Sequence, residues 1–311
     1  MDTNPQFVQE IRQYARKLVR ELDVIKGSFQ DTGFSFSQGH TLVETSQHKI
    51  LNQAELSNIL LTDKANVSRT VNGLLEEGYM KTEKVQHDNR QKLLTLTEKG
   101  LKALEKIDRA ANTRFEAALE QLSEQEQQIV LQGMQLFSKA LHRSRVQRDF
   151  AIRAVQPEDN EIVARVIREV MTEFACVGEG YSINDPEVEN IYEAYHNDRS
   201  AFFVLTRQSV VVGCGGIGPL AGGDSAVCEL KKMYFLPEAR GFGLGQKFIS
   251  VCLEKAKALG YQQCYLETVR RMWQANLVYE KMGFRSLEKP LGDTGHTSTE
   301  VWMVRELYEK A

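Results

Sequence analysis

The sequence predicts a two-domain chain. An α-rich first half is built on a helix-turn-helix and a β-hairpin, and an α+β second half carries a mixed sheet. Three observations support this. The 311 residues divide naturally into halves of about 150. Helical periodicity dominates to about residue 142, whereas short apolar runs alternate with helices beyond residue 150. The stretch between them, residues 143–149, is short and charged rather than rich in glycine and serine, which keeps the halves close. The domains drawn on this basis are 1–148 and 149–311.

The first half opens with a long helix at residues 7–29. The run Asn52-Gln53-Ala54-Glu55-Leu56-Ser57-Asn58-Ile59-Leu60 reads as a short helix capped by Asn52. A turn at Leu61-Thr62-Asp63 leads into a second helix, residues 64–77, closed by Gly78. On this helix Val67, Val71 and Leu74 form the buried stripe. Asn66, Ser68, Arg69 and Asn72 fall away from it, and short amides, hydroxyls and arginine are groups that read base edges and phosphates. Residues 79–85 and 92–96 form a hairpin with the basic tip Gln86-His87-Asp88-Asn89-Arg90-Gln91. Thr97 caps the next helix, which covers residues 101–122, and another follows at 124–142. Their apolar positions Leu119, Leu122, Ile129, Leu131, Leu136, Phe137 and Leu141 exceed what one small module covers.

The run V-S-R-x-V-x-x-L-x-x-x-G-Y, then D-N-R, then L-T-L-T-E-K-G resembles the MarR family of winged helix-turn-helix regulators. The resemblance implies a helix carrying Lys64, Asn66, Ser68, Arg69 and Asn72 in the major groove of double-stranded DNA, with Arg90 of the wing in the minor groove. Asp88 then fixes the wing turn or orients Arg90. The resemblance further implies a homodimer knitted by the long helices, which meets a palindromic site. Bulk charge adds nothing to this reading, because the first 148 residues carry +2 and the rest −5 of the chain's net −3.

In the second half, residues 151–155 form a strand and 158–174 an amphipathic helix. Residues 201–206, 210–217 and 230–236 are three consecutive strands, followed by helix, strand, helix and two closing strands. The order is βαα-βββ-αβ-αββ. Residues 229–245 read E-L-K-K-M-Y-F-L-P-E-A-R-G-F-G-L-G, a strand, a glycine turn and a helix start. Glycines there let backbone N–H groups converge on an anion at the positive end of the helix. A kinase-type P-loop needs a lysine and a hydroxyl that Gly245-Gln246-Lys247-Phe248 lacks. A dinucleotide fold needs G-x-G-x-x-G where this turn has G-x-G-x-G, although Glu267 supplies the later acid. The pattern [RQ]-x-x-G-x-[GA] is matched by Arg240, Gly243 and Gly245. A second block, Ala275-Asn276-Leu277-Val278-Tyr279-Glu280-Lys281-Met282-Gly283-Phe284, matches A-x-x-[LF]-Y-x-x-x-G-[FY].

Together these blocks resemble the GNAT acetyltransferase family over residues 150–307. The resemblance implies that Arg240, Gly241, Phe242, Gly243, Leu244 and Gly245 grip the pyrophosphate of acetyl-CoA. Backbone amides around Met233, Tyr234 and Phe235 would bind its pantetheine, with Asn276 and Tyr279 on one helix face beside it. Tyr279 would protonate the leaving thiolate. Glu229 corresponds to the acid used as general base, Glu267 is its rival, and His296 faces the acceptor amine. Lys231 and Lys232 are the local partners available to Glu229.

Five cysteines, none in a C-x-x-C pair, suit apolar core positions in a reducing compartment, and no metal-ligand cluster appears. With no signal peptide and no long apolar span, the expectation is a soluble cytoplasmic protein. The functional expectation is a DNA-binding regulator fused to an acetyl-CoA-dependent N-acetyltransferase. Two alternatives stay open: a regulator that only senses acetyl-CoA, and an enzyme whose winged module serves dimerisation or docking.

Overall fold

The computed structural model describes residues 4–24, 27–29, 32–48, 52–85 and 88–308, without the side chains of residues 84, 85 and 88–92. The chain divides into two compact units, residues 1–132 and 133–311.

In the first unit, helix α1 (Pro5–Glu21) is capped by Asn4, whose side chain accepts the Gln6 N–H at 3.0 Å. It ends eight residues before the predicted 29, with Asp23 at φ +56°. The apolar pattern continues past its end because Phe29 packs separately: its N–H donates to the Phe34 carbonyl at 3.0 Å and its ring meets Phe36 at 4.7 Å. Helix α2 (Phe36–Gln47) has no counterpart in the sequence reading. Ser35 and Gln38 cap it reciprocally. Its buried Thr41 and Thr45 send hydroxyls back to the Ser37 and Thr41 carbonyls at 2.7 Å, so polar residues occupy the core-facing stripe and mask its period.

Helix α3 (Gln53–Leu60) starts at the predicted Asn52 cap, and α4 (Lys64–Glu76) is capped by Asp63. Val67, Val71 and Leu74 of α4 pack with Leu42, Leu56 and Ile107 in the core of this unit. Strands β1 (Met80–Val85) and β2 (Asp88–Leu96) pair antiparallel from Met80↔Leu96 outward. The tip residues Gln86 and His87, and the side chains of Asp88 and Arg90, lie outside the described residues. Thr97 caps α5 (Glu98–Leu119) as expected, accepting the Gly100 N–H at 3.1 Å. Helix α6 (Glu124–Gln147) follows, and neither α1 nor α6 contains a buried residue.

The second unit is a seven-stranded sheet with order β3-β4-β5-β6-β7-β9-β8. Its strands are β3 (Phe150–Ala154), β4 (Ala201–Arg207), β5 (Val210–Pro219), β6 (Val227–Phe235), β7 (Gln263–Thr268), β8 (Arg285–Ser286) and β9 (Val301–Glu306). All neighbours pair antiparallel except β6 and β7. Helices α7 (Asn160–Glu173) and α8 (Ile191–Tyr195) come before β4, α9 (Leu244–Ala258) after β6, and α10 (Trp273–Lys281) after β7, the predicted order. Of this unit's apolar clusters, the two largest hold Phe248, Cys252 and Leu253 of α9 in one and Val163, Ile167 and Val170 of α7 in the other. The five cysteines are buried free thiols. Among the described residues no helix is long and apolar enough to cross a membrane, and no group of three or more His, Cys, Asp or Glu is placed to hold a metal.

Candidate functional site

The site begins where the two parallel strands part. β6 and β7 pair only at Val227↔Gln263, Cys228↔Cys264 and Glu229↔Tyr265. Beyond Glu229, β6 follows β5 and β7 follows β9 to Thr268↔Val301. A bulge assists the divergence: the β5–β6 register shifts between Cys214 and Gly216, where Lys232 adopts φ +54°. Gly215 lies opposite, where an added Cβ would come within 2.4 Å of the Met233 sulfur and displace that side chain. The Leu236 N–H donates to the Val212 carbonyl at 2.8 Å. Strand alternation therefore turns the Phe235 amide the other way, into the gap that β7 has left.

The turn after β6 makes the second part. Gly243 is the N-cap of α9 at φ +77°, a left-handed conformation that favours glycine, and brings no capping side chain. The first amides of α9 thus receive no side-chain cap. They border a cavity of about 600 Å³ lined by Met233, Phe235, Gly241, Gly245, Val278 and Tyr279, among others. Arg240 also lines it, but its guanidinium is held bidentate by Glu173 at 2.6 Å, and its Nε donates to the Phe235 carbonyl at 2.8 Å. Its visible role is to pin the turn to β6 and α7. Phe242 does not line the cavity: its carbonyl accepts from Gln147 at 2.7 Å and its ring packs near Phe150. Asn276 departs from expectation in the same way. It lines neither cavity: its amide reaches back to the Val269 carbonyl at 3.2 Å, and its buried Oδ1 has no partner among the described residues.

A smaller cavity of about 60 Å³ is lined by Glu229, Lys231, Glu267, His296 and Thr299, and shares Met233, Tyr234, Met272 and Tyr279 with the larger one. Tyr279 therefore stands where the two meet, with burial pushing its hydroxyl pKa up. Glu229 is 4% exposed. It forms no hydrogen bond or ion pair among the described residues. Burial pushes its carboxyl up to about 7, against the opposing pull of Lys231 and His296. Glu267 sits in the opposite environment, accepting hydrogen bonds from Tyr265 at 2.7 Å, Thr294 at 3.0 Å and Thr299 at 3.2 Å. Burial alone would raise its carboxyl, but bonds from His296, Tyr265 and Thr294 hold it below the ordinary value.

His296 lies between two carboxylates, with Nε2 3.1 Å from Asp185 and Nδ1 3.6 Å from Glu267. Those partners, Asp185 first, lift it to about 9, so it is an imidazolium at neutral pH. Lys232 is nearly fully buried and reaches Asp185 at 2.6 Å and Glu187 at 3.0 Å, while Lys231 reaches Glu187 at 3.3 Å. Asp185 and Glu187 were missed by sequence reasoning. Asn184-Asp185-Pro186-Glu187 reads only as a turn, and nothing in its spacing points toward β6.

In the first unit, α4 exposes Lys64, Arg69 and Asn72, with Asn66 and Ser68 half-buried on its flank. The Asn66 amide donates to the Thr62 hydroxyl at 3.3 Å.

A family model described as an acetyltransferase (GNAT) domain matches residues 198–286, and a MarR family model matches residues 32–91. The Escherichia coli K12 protein named uncharacterized N-acetyltransferase YjgM is 42% identical over 157 residues, 50% of this chain and 94% of that protein. The HTH-type transcriptional regulator BilQ of Clostridium symbiosum is 26% identical over 114 residues, 37% of this chain and 79% of that protein. Among solved structures, a GNAT-family acetyltransferase from Staphylococcus aureus Mu50 superposes with a TM-score of 0.46 at 22% identity, covering 51% of this chain and 99% of that one. The chain belongs to the GNAT acetyltransferase family, as an N-acetyltransferase that carries a MarR-type helical region ahead of its acetyltransferase domain.

Proposed function

We propose that this protein moves an acetyl group from acetyl-CoA to a primary amine by direct attack, with Glu229 as general base and Tyr279 as general acid. The observation that carries the reading is the meeting of the two cavities at Tyr279, with a buried carboxyl at Glu229 in the smaller one that has no partner among the described residues. The residues present fit the co-substrate. The uncapped α9 amides face a cavity that also presents Arg143 and Lys281, a suitable setting for a diphosphate, and Val278 and Ile249 offer apolar wall for a flexible arm. Acetyl-CoA supplies an activated acyl carbonyl and a thiolate leaving group.

Glu229 takes one proton from the incoming ammonium, leaving a neutral nitrogen to form the C–N bond, and passes that proton to water. The Phe235 amide offers a hydrogen bond to the developing oxyanion. Tyr279 gives its proton to sulfur as the C–S bond breaks and recovers one from the acylated nitrogen. The test is thiol release with an amine panel, comparing wild type with Glu229→Gln and Tyr279→Phe. Loss in both variants with acetyl-CoA binding retained is expected. Binding without release from any amine would instead favour a sensor.

The first unit is assigned duplex DNA, read by Lys64, Asn66, Ser68, Arg69 and Asn72 of α4 with Arg90 on the wing, in a homodimer. The exposed polar face of α4 and the unburied apolar residues of α1, Phe7, Ile11, Tyr14 and Leu18, support that reading. Arg69→Ala is expected to weaken binding to a palindromic duplex. Unchanged affinity there and in Arg90→Ala would leave docking or dimerisation as the role of the unit.

A further inference from the structure

The charges around the smaller cavity are matched one for one, with a single exception. Lys232 is claimed by Asp185 at 2.6 Å and Glu187 at 3.0 Å. Lys231 shares Glu187 at 3.3 Å. His296 lies 3.1 Å from Asp185 and 3.6 Å from Glu267. Three cations are thus set against the three carboxylates Asp185, Glu187 and Glu267. Nearby, Arg270 pairs with Glu300 at 3.4 Å. Arg271 donates to the Ala175 carbonyl at 3.0 Å and the Tyr181 hydroxyl at 2.8 Å, and does not line the cavity. Glu229 is the charge left over: it lines the cavity, is 4% exposed, and has no ion pair or hydrogen bond among the described residues.

Resting on the acetyl-transfer reading, we infer that the pocket takes an acceptor whose ammonium has no carboxylate beside it, such as an amino-acid amide, a peptide N-terminus or an alkylamine, and turns away free α-amino acids. One ammonium neutralises Glu229 and completes the charge match. An α-carboxylate would arrive with it in a cavity of about 60 Å³, where every lining cation is already bound to an acid. The second anion would then face Glu229 and Glu267 with no partner, and like-charge juxtaposition of this kind is a strong source of discrimination.

The experiment uses the full chain with acetyl-CoA and matched pairs, glycine against glycinamide and phenylalanine against phenylalaninamide. Thiol release is followed, and rates are expressed per unit of neutral amine because the amide lowers the amine's own pKa. The amides are expected to exceed the acids in kcat/KM by roughly tenfold or more. Acids equal to or better than their amides would overturn the inference while leaving acetyl transfer in place. No release from any member of any pair would remove the acetyl-transfer reading and this inference with it. Glu187→Gln leaves Lys231 and Lys232 with positive charge to spare, so it should narrow the amide preference. A folded Glu187→Gln protein with an unchanged ratio would contradict the charge argument.

Discussion

Two carboxylates at the site are separated by their surroundings. Glu229 is buried without partners among the described residues and has its carboxyl pushed up to about 7, whereas Glu267 is fixed by hydroxyls and an imidazolium that keep it ionised. A base poised near neutrality suits proton removal from an ammonium, so Glu229→Gln should lower kcat roughly 100- to 10,000-fold. Activity of the wild type should rise as pH passes through about 7, and that limb should vanish in the variant. The same shift has a stability sign. The folded state holds the Glu229 proton more tightly, so stability falls as pH rises from about 4.5 to about 7, by on the order of 3 kcal/mol. Glu229→Gln should remove that slope from a plot of Tm against pH. Glu267→Gln should instead lower Tm and raise the KM of the acceptor, since it removes the charge facing His296 and one of the two oxygens that accept from Tyr265, Thr294 and Thr299. Both acids were legible in the sequence by their positions on consecutive strands. What separates them was not, because the groups holding Glu267 include loop hydroxyls about thirty residues further along the chain.

At the scale of elements, the site is a parted strand pair facing a helix N-terminus. The strand, turn and helix from Glu229 to Gly245 were readable from apolar pattern and glycine spacing. The bulge was not, because Lys231-Lys232-Met233 contains no glycine, and the ion-paired Lys232 is the residue at positive φ. Helix α2 was also invisible, its buried threonines disguising the core-facing stripe. Gly243→Ala would force a side chain into the left-handed region, at a cost of about 1–2 kcal/mol, and disturb the α9 amides. The expected result is a raised KM for acetyl-CoA with a smaller effect on the KM of the acceptor. His296 fastens the loop between β8 and β9 to the segment bearing Asp185. Its pKa is raised from 6.5 to about 9, so this stabilisation is complete below about 6.5 and is lost as pH climbs through about 9. Tm should therefore fall in that window for the wild type, and less steeply in His296→Gln.

At the scale of the whole molecule, the chain joins an N-acetyltransferase domain to a MarR-type region, and each unit makes its own prediction. For the first, Arg69→Ala should weaken duplex binding across sequences and reduce the salt slope by about one if Arg69 neutralises a phosphate. A gel shift over a salt series measures both. For the second, the decisive measurement is thiol release by the full chain with acetyl-CoA and neutral-tailed primary amines, with and without the Glu229→Gln substitution. The account predicts one free thiol per acetylated amine in the wild type, and loss of release in Glu229→Gln with acetyl-CoA still bound. Bound acetyl-CoA with no release from any amine, or full release by Glu229→Gln, would contradict it.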